Sequence, residues 1–314
     1  MFHVPLWVLG MHRSGTSFCV RALQGHGVGL PSNLLAAASD NPDGFQEPAE
    51  LVDLNEHLLR IAGGLWDASW PLQLNEAPEV KEQIGQELQN QLNQWCTSTR
   101  SSVQHSTSTG LLALKDPRLC RTLPLLAPYL EQNALRYGIA IIRNPNAVVS
   151  SLLERNRDDM SPLKGFALWM RYNLELVKCR NINPLISNWP VISFEYLVKN
   201  PLDTLQPILQ QWENEGLLVR QQPQRNLICK PAKLATNHLS QLPRDWLELG
   251  HLFYASLQGS KTLKDVQEDL IQSVQQWLEN TPKLSNELLV LEAKRRAHLG
   301  ESLAAERLLS WRNL

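Results

Sequence analysis

An apolar run, Val4-Pro5-Leu6-Trp7-Val8-Leu9, stops at Gly10 and gives way to Met11-His12-Arg13-Ser14-Gly15-Thr16-Ser17, a turn of small and cationic residues. Phe18 to Leu23 then read as helix. Strand, tight turn and helix start, in that order, aim backbone N–H groups and a helix N-terminus at an anion. The strand is apolar throughout, as one buried on both faces must be.

Three further runs read as strands: Leu111–Leu114, Tyr137–Ile142 and Val191–Phe194. Between them the spacing predicts helices from Thr16 to about Gly25, through Leu51, Leu54, Leu58 and Ile61, from Pro78 to about Trp95, from Pro145 to about Arg155 and over Pro162–Cys179. Asn200-Pro201 opens another, with proline at its first position. Leu34–Gly44 is turn-rich through Asn41-Pro42-Asp43-Gly44, 97–109 is a Ser/Thr-dominated stretch read as a mobile surface loop, and Asn156–Ser161 is a polar loop. Strands alternating with helices predict an α/β fold with a parallel, doubly wound sheet flanked by helices. Past residue 240 the segments Trp246–Leu257, Val266–Leu278 and Asn286–Trp311 read as helices only. The expected organisation is an α/β domain over 1–240 and a C-terminal helical extension over 241–314 packed on it.

Lys and Arg number 30 against 31 Asp and Glu, so bulk nucleic-acid binding is not expected, and an anion site must be a local concentration of basic residues. Five widely separated cysteines without a CxxC pair read as buried thiols of a reducing compartment. No apolar run is long enough to span a membrane, and the N-terminal one is too short for a signal-peptide core, so the expected location is cytoplasmic. No His, Cys and carboxylate cluster has metal spacing, and no metal is expected.

Three strands end on a cation, at Arg13, Lys115 and Arg143, and the carboxyl edge of such a sheet is where ligands bind. Gly10-x4-Gly15-Thr16-Ser17 nearly matches the nucleotide-binding P-loop, but Thr16 replaces the lysine that reaches the β- and γ-phosphates. The charge lies inside the loop at Arg13, which suits a shorter 5′-anion held by Arg13, the loop amides and the Thr16 and Ser17 hydroxyls. In Arg143-Asn144-Pro145 a helix beginning at the proline carries Ser151 about two turns along, and the pair makes two arms for a second phosphate. A tight structural turn, a P-loop phosphotransferase and a non-catalytic nucleotide-binding protein are the competing readings.

Arg13-Ser14-Gly15-Thr16-Ser17 resembles the 5′-phosphosulfate loop of sulfotransferases, Arg143 with Ser151 resembles their 3′-phosphate motif, and Ser193-Phe194-Glu195-Tyr196-Leu197 through Asn200-Pro201 is similar to the strand-and-turn element that follows. The elements stand in the family's order over residues 4 to about 205. The resemblance implies a P-loop-like α/β fold with a parallel sheet flanked by helices, and a bacterial-type enzyme transferring sulfuryl from 3′-phosphoadenosine-5′-phosphosulfate to a hydroxyl or amine of a small-molecule or carbohydrate acceptor. It implies that Arg13, Ser14, Gly15, Thr16 and Ser17 hold the 5′-phosphosulfate, Arg143 and Ser151 the 3′-phosphate, and Phe18 and Phe194 the adenine. Lys115 matches a strand-end lysine that steadies the departing bridge oxygen. Glu47 falls where related carbohydrate and protein sulfotransferases place a catalytic glutamate, and its structural alternative is a first-turn helix carboxylate beside Pro48. His12 is the rival base or a sulfate contact. The family's C-terminal Arg-Lys-Gly type loop has no recognisable counterpart, with Lys230 and Lys233 the only substitutes. Asp116 and Arg118 are expected to brace Lys115 as an ion pair, His57 and His251 to be packing residues, and Trp66, Trp70, Trp169 and Tyr172 to form core or a sugar platform.

Overall fold

The computed structural model describes residues 3–37, 44–73, 78–98, 110–155, 159–218 and 237–284, with isolated positions beyond. Among them, four strands form one sheet: β1 (Val4–Leu9), β2 (Leu111–Lys115), β3 (Tyr137–Ile142) and β4 (Val191–Ser193). The order is β2-β1-β3-β4 and every pairing is parallel. With β1 inside the sheet, the chain leaves it to one side for β2 and to the other for β3. This reversal puts a crevice at the carboxyl ends of β1, β2 and β3.

The alternation of side chains divides the core in two. Trp7, Leu9, Leu112, Leu114, Ala140 and Ile142 point into one buried cluster, and Leu6, Val8, Leu111, Ala113, Ile139 and Ile141 into the other. Each strand is therefore apolar on both faces, which is why its sequence shows no polar alternation.

The second face is covered by α1 (Thr16–Gly25) and α9 (Pro201–Asn214) through Val20, Leu23, Leu205, Leu209 and Trp212. On the first face lie α2 (Ala49–Ile61), α3 (Pro78–Ser98), α4 (Leu119–Leu126) and α6 (Pro162–Lys178). Joining them there are α5 (Pro145–Arg155), α10 (Arg244–Gly259) and α11 (Glu268–Leu284), whose Phe253, Leu257, Val274 and Leu278 are buried in that same cluster. Short helices α7 (Pro184–Ser187) and α8 (Phe194–Lys199) bracket β4.

Several expectations need correction. Phe194 opens α8 instead of ending β4, because Ser193 and Phe194 turn inward to contacts described below. The α3 helix runs on to Ser98. His57 and His251 are exposed on α2 and α10, so the apolar periodicity of those helices runs along their other faces. Trp70, Trp169 and Tyr172 are core, and only Trp66 of the four aromatics is partly exposed. Cys19, Cys96, Cys120 and Cys179 are free and buried. Residues 38–43, 99–109, 156–158, Lys230, Lys233 and nearly all of the expected Asn286–Trp311 helix lie outside the described residues. No helix among those described is long and apolar enough to cross a membrane.

Candidate active site

The loop after β1 is shaped by crowding. A Cβ on Gly10 would lie 2.5 Å from the Ile141 carbonyl oxygen, and one on Gly15 would lie 2.1 Å from the Phe194 ring. Arg13 (φ 68°) and Gly15 (φ 88°) both adopt the left-handed region, reversing the chain within three residues. Cys19 N–H then donates to Gly15 C=O at 3.1 Å to begin α1. No side chain caps that helix start and its first turn holds no acidic residue, so its leading amides stay available to an anion.

Lys115 enters the same crevice from β2. Its buried ammonium donates to Glu47 Oε1 at 2.5 Å, to Phe45 C=O at 3.0 Å and to Ser17 Oγ at 3.2 Å. Ser17 Oγ in turn donates to the same Phe45 carbonyl at 2.9 Å. Glu47 stands before α2, ahead of its N-cap Pro48, so it is not a first-turn carboxylate of that helix. Gln46 between the two acceptors takes a left-handed φ of 57°, which lets the Phe45 carbonyl and the Glu47 carboxylate face one ammonium. Arg118 stands behind Glu47 at 3.7 Å and binds Asp116 at 3.0 Å and Glu56 at 2.8 Å, so the expected Asp116–Arg118 pair is formed and its arginine reaches Glu47, the partner of Lys115. Burial pushes the Glu47 carboxyl above its ordinary value; Lys115 and Arg118 oppose the shift, and Asp116 adds to it.

Arg143 ends β3 and donates to the Arg13 carbonyl at 2.8 Å, while Arg13 Nε donates to Ser151 Oγ at 2.8 Å. The β1 and β3 loops are thus joined through their own anion-binding candidates. The Arg143 guanidinium lies 4.7 Å from the centroid of the Phe194 ring, and Phe194 meets Phe18 edge-on at 6.1 Å.

His12 packs against Trp66 at 4.9 Å and, edge-on, against Tyr172 at 5.6 Å between ring centroids. The residue is partly exposed, but its Nε2 is enclosed and has no hydrogen-bond partner. Burial first, then the charges of Arg118, Lys115, Arg155 and Arg13, hold His12 well below the ordinary histidine value, so the ring is neutral.

The result is a cleft of about 260 Å³ in which five cations, Arg13, Arg21, Lys115, Arg143 and Arg155, meet one carboxylate, Glu47. His12, Gly15, Thr16, Ser17, Phe18 and Phe194 also line it. Ser14 and Ser151 do not: Ser14 is enclosed with its Oγ unpartnered, and Ser151 reaches the site through Arg13. Sequence reasoning missed Arg21 and Arg155, whose guanidinium lies 5.7 Å from the centroid of the Phe45 ring. Each stands four residues after a singled-out serine, Ser17 or Ser151, on the same helix, and that spacing alone puts them on the site face. The arrangement can bind a polyanion along its length and withdraw a proton at Glu47.

The chain is similar to the sulfotransferase domain of the olefin synthase from Synechococcus PCC 7002, with 16% identity, 88% of this chain and 95% of that chain covered, and a TM-score of 0.41. No curated protein matches the sequence. The model of the sulfotransferase family matches residues 5–215. That span takes in the four strands of the described sheet, but for Val4 of β1, and every cation of the cleft, and the chain belongs to the sulfotransferase family.

Proposed function

We propose that this protein transfers the sulfuryl group of 3′-phosphoadenosine-5′-phosphosulfate to a hydroxyl or amine of a small-molecule or carbohydrate acceptor. The observation that carries the reading is Lys115, a buried ammonium joining Ser17, Phe45 and Glu47 in the cleft that also holds Arg13 and Arg143.

The residues present fit such a donor. Arg13, Lys115 and the α1 amides would take the phosphosulfate, with the Thr16 and Ser17 hydroxyls beside them. Arg143 would take the 3′-phosphate, with Ser151 reaching the site only through Arg13, and the Phe18–Phe194 pair would receive the adenine. The uncapped start of α1, with no acidic residue in its first turn, and the enclosed, unpartnered His12 Nε2 both suit an anion lying against this loop. When bound, the donor supplies an activated sulfuryl group and a bisphosphate leaving group.

Glu47 accepts the acceptor's proton, and the burial that raises its carboxyl makes it a stronger base than an exposed glutamate. Lys115 neutralises charge developing at the bridge oxygen; drawing the ammonium toward that oxygen releases Glu47 from its 2.5 Å bond. Neutral His12 packs the loop against Trp66 and leaves the proton transfer to Glu47. Positioning and charge neutralisation then carry most of the catalysis, as in phosphoryl transfer.

Calorimetric competition tests the donor. Adenosine 3′,5′-bisphosphate is expected to bind at least about tenfold more tightly than ATP, with or without magnesium, a margin of one charge-assisted contact. Tighter, magnesium-dependent ATP binding would establish a phosphotransferase instead.

A further inference from the structure

We infer that Tyr254, on helix α10 and beyond the family-matched span, is a positioning residue for Arg143 and therefore for recognition of the donor's 3′-phosphate; the inference rests on the donor reading above. Arg143 is a strand-end residue whose reach depends on where its backbone is fixed. Two fasteners do this. Trp169 Nε1 donates to the Arg143 carbonyl at 3.0 Å, and the next amide, Asn144 N–H, donates to Glu195 Oε1 at 3.0 Å.

Tyr254 touches both. Its hydroxyl donates to Glu195 Oε2 at 2.8 Å, beside Ser193 Oγ at 2.8 Å, and its ring meets Trp169 edge-on at 6.3 Å. Glu195 therefore has both oxygens engaged across three elements: β4 and its turn, the start of α5, and α10. Burial, followed by the Glu195 hydrogen bond, pushes the Tyr254 hydroxyl well above its usual value, so it stays a donor across the working pH range.

The bond extends further through Asn144. Its Oδ1 accepts from Asn146 N–H at 3.0 Å and Ala147 N–H at 3.4 Å, capping α5. Removing the Tyr254 hydroxyl leaves Glu195 with one fewer donor and loosens the Asn144 turn. That change acts first on Arg143, whose carbonyl and following amide are the fastened groups, and leaves the Lys115–Glu47 end untouched.

The experiment compares wild type, Tyr254→Phe and Glu195→Gln, each as the full chain, for affinity toward adenosine 3′,5′-bisphosphate and adenosine 5′-phosphate. A structural loss would weaken both ligands alike. We expect the ratio of the two affinities to fall about five- to tenfold in Tyr254→Phe, the range for one hydrogen bond to a charged group, with 5′-phosphate affinity within about twofold of wild type. Glu195→Gln keeps the shape but replaces an acceptor by a donor, and is expected to lower the ratio as much or more. An unchanged ratio in Tyr254→Phe beside a wild type that prefers the bisphosphate overturns the inference alone, whatever the melting temperature. A wild type without that preference overturns the donor reading and the inference together.

Discussion

Around α6, buried cations end on buried acceptors; at the carboxyl edge of the sheet the cations have protein partners too but also line a cleft. Arg121 donates to Glu175 at 2.8 Å and to the Ala68 and Trp70 carbonyls at 2.5 and 2.7 Å. Lys164 is bound by Asp67 at 2.7 Å and the Asp159 carbonyl at 3.1 Å, and Arg171 Nε by the Ser69 carbonyl at 2.8 Å. With Tyr172 OH on the Trp66 carbonyl at 2.6 Å, these groups hold residues 66–70 against α4 and α6, and so hold Trp66 against His12. At the sheet edge five cations line a cleft with one carboxylate. On the function proposed above, the difference separates charge that only fixes the fold from charge that also faces a ligand, although both are carried by arginine and lysine.

Substitution should break the two regions in opposite ways. Arg121→Met removes the closer partner of Glu175, leaving Arg171 at 3.8 Å, and strands two buried carbonyls; it is expected to cost about 3–5 kcal/mol in urea unfolding, with donor affinity of the folded protein unchanged. Lys115→Met is expected to lower kcat/KM about 10²–10³-fold. Its stability loss should be smaller than that of Arg121→Met, because the Glu47 carboxyl, already raised by burial, can take up a proton and become neutral. A Lys115→Met variant that is unstable yet active, or an Arg121→Met variant that is stable yet inactive, would erase the distinction.

His12 sharpens the comparison at the smallest scale. Its native value lies below the ordinary 6.5 that the unfolded chain recovers, so the unfolded state binds a proton that the native state refuses. Stability from this residue is present above about pH 6.5 and is lost as pH falls toward the native value. His12→Gln is expected to flatten the pH dependence of the unfolding free energy between pH 7 and 5 relative to wild type. An unaltered slope would show that His12 takes up its proton in the native cleft as readily as in the unfolded chain.

Much of this was legible in the chain because it is local. β1 and β3 occupy their apolar runs, β2 adds Lys115, and α1 starts at Thr16 where the glycine turn releases it. A parallel sheet then necessarily brings Arg13, Lys115 and Arg143 to one edge. What escaped depends on contacts between distant segments. Phe194 turns into α8 while Glu195 accepts Asn144 N–H and Tyr254 OH, residues 51 and 59 positions away. Arg13 meets Ser151 across 138 positions, so the two loops read as separate arms are joined. The pairing of Glu47 with Lys115 at a left-handed Gln46 likewise leaves no periodic trace, because a non-glycine residue in that conformation is sustained only by what surrounds it.

On the function proposed above, this cleft moves a sulfuryl group with Glu47 as the base. This is tested most directly by following radiolabelled sulfate from the donor onto a panel of sugars, lipids, small alcohols and peptides, with wild type beside Glu47→Gln. The account predicts label on at least one acceptor with wild type, a rate about 10²–10⁴-fold lower with Glu47→Gln, and equal affinity of both proteins for adenosine 3′,5′-bisphosphate. Transfer by Glu47→Gln at the wild-type rate would contradict it by removing Glu47 from the chemistry, and wild type that labels no acceptor would contradict the activity itself.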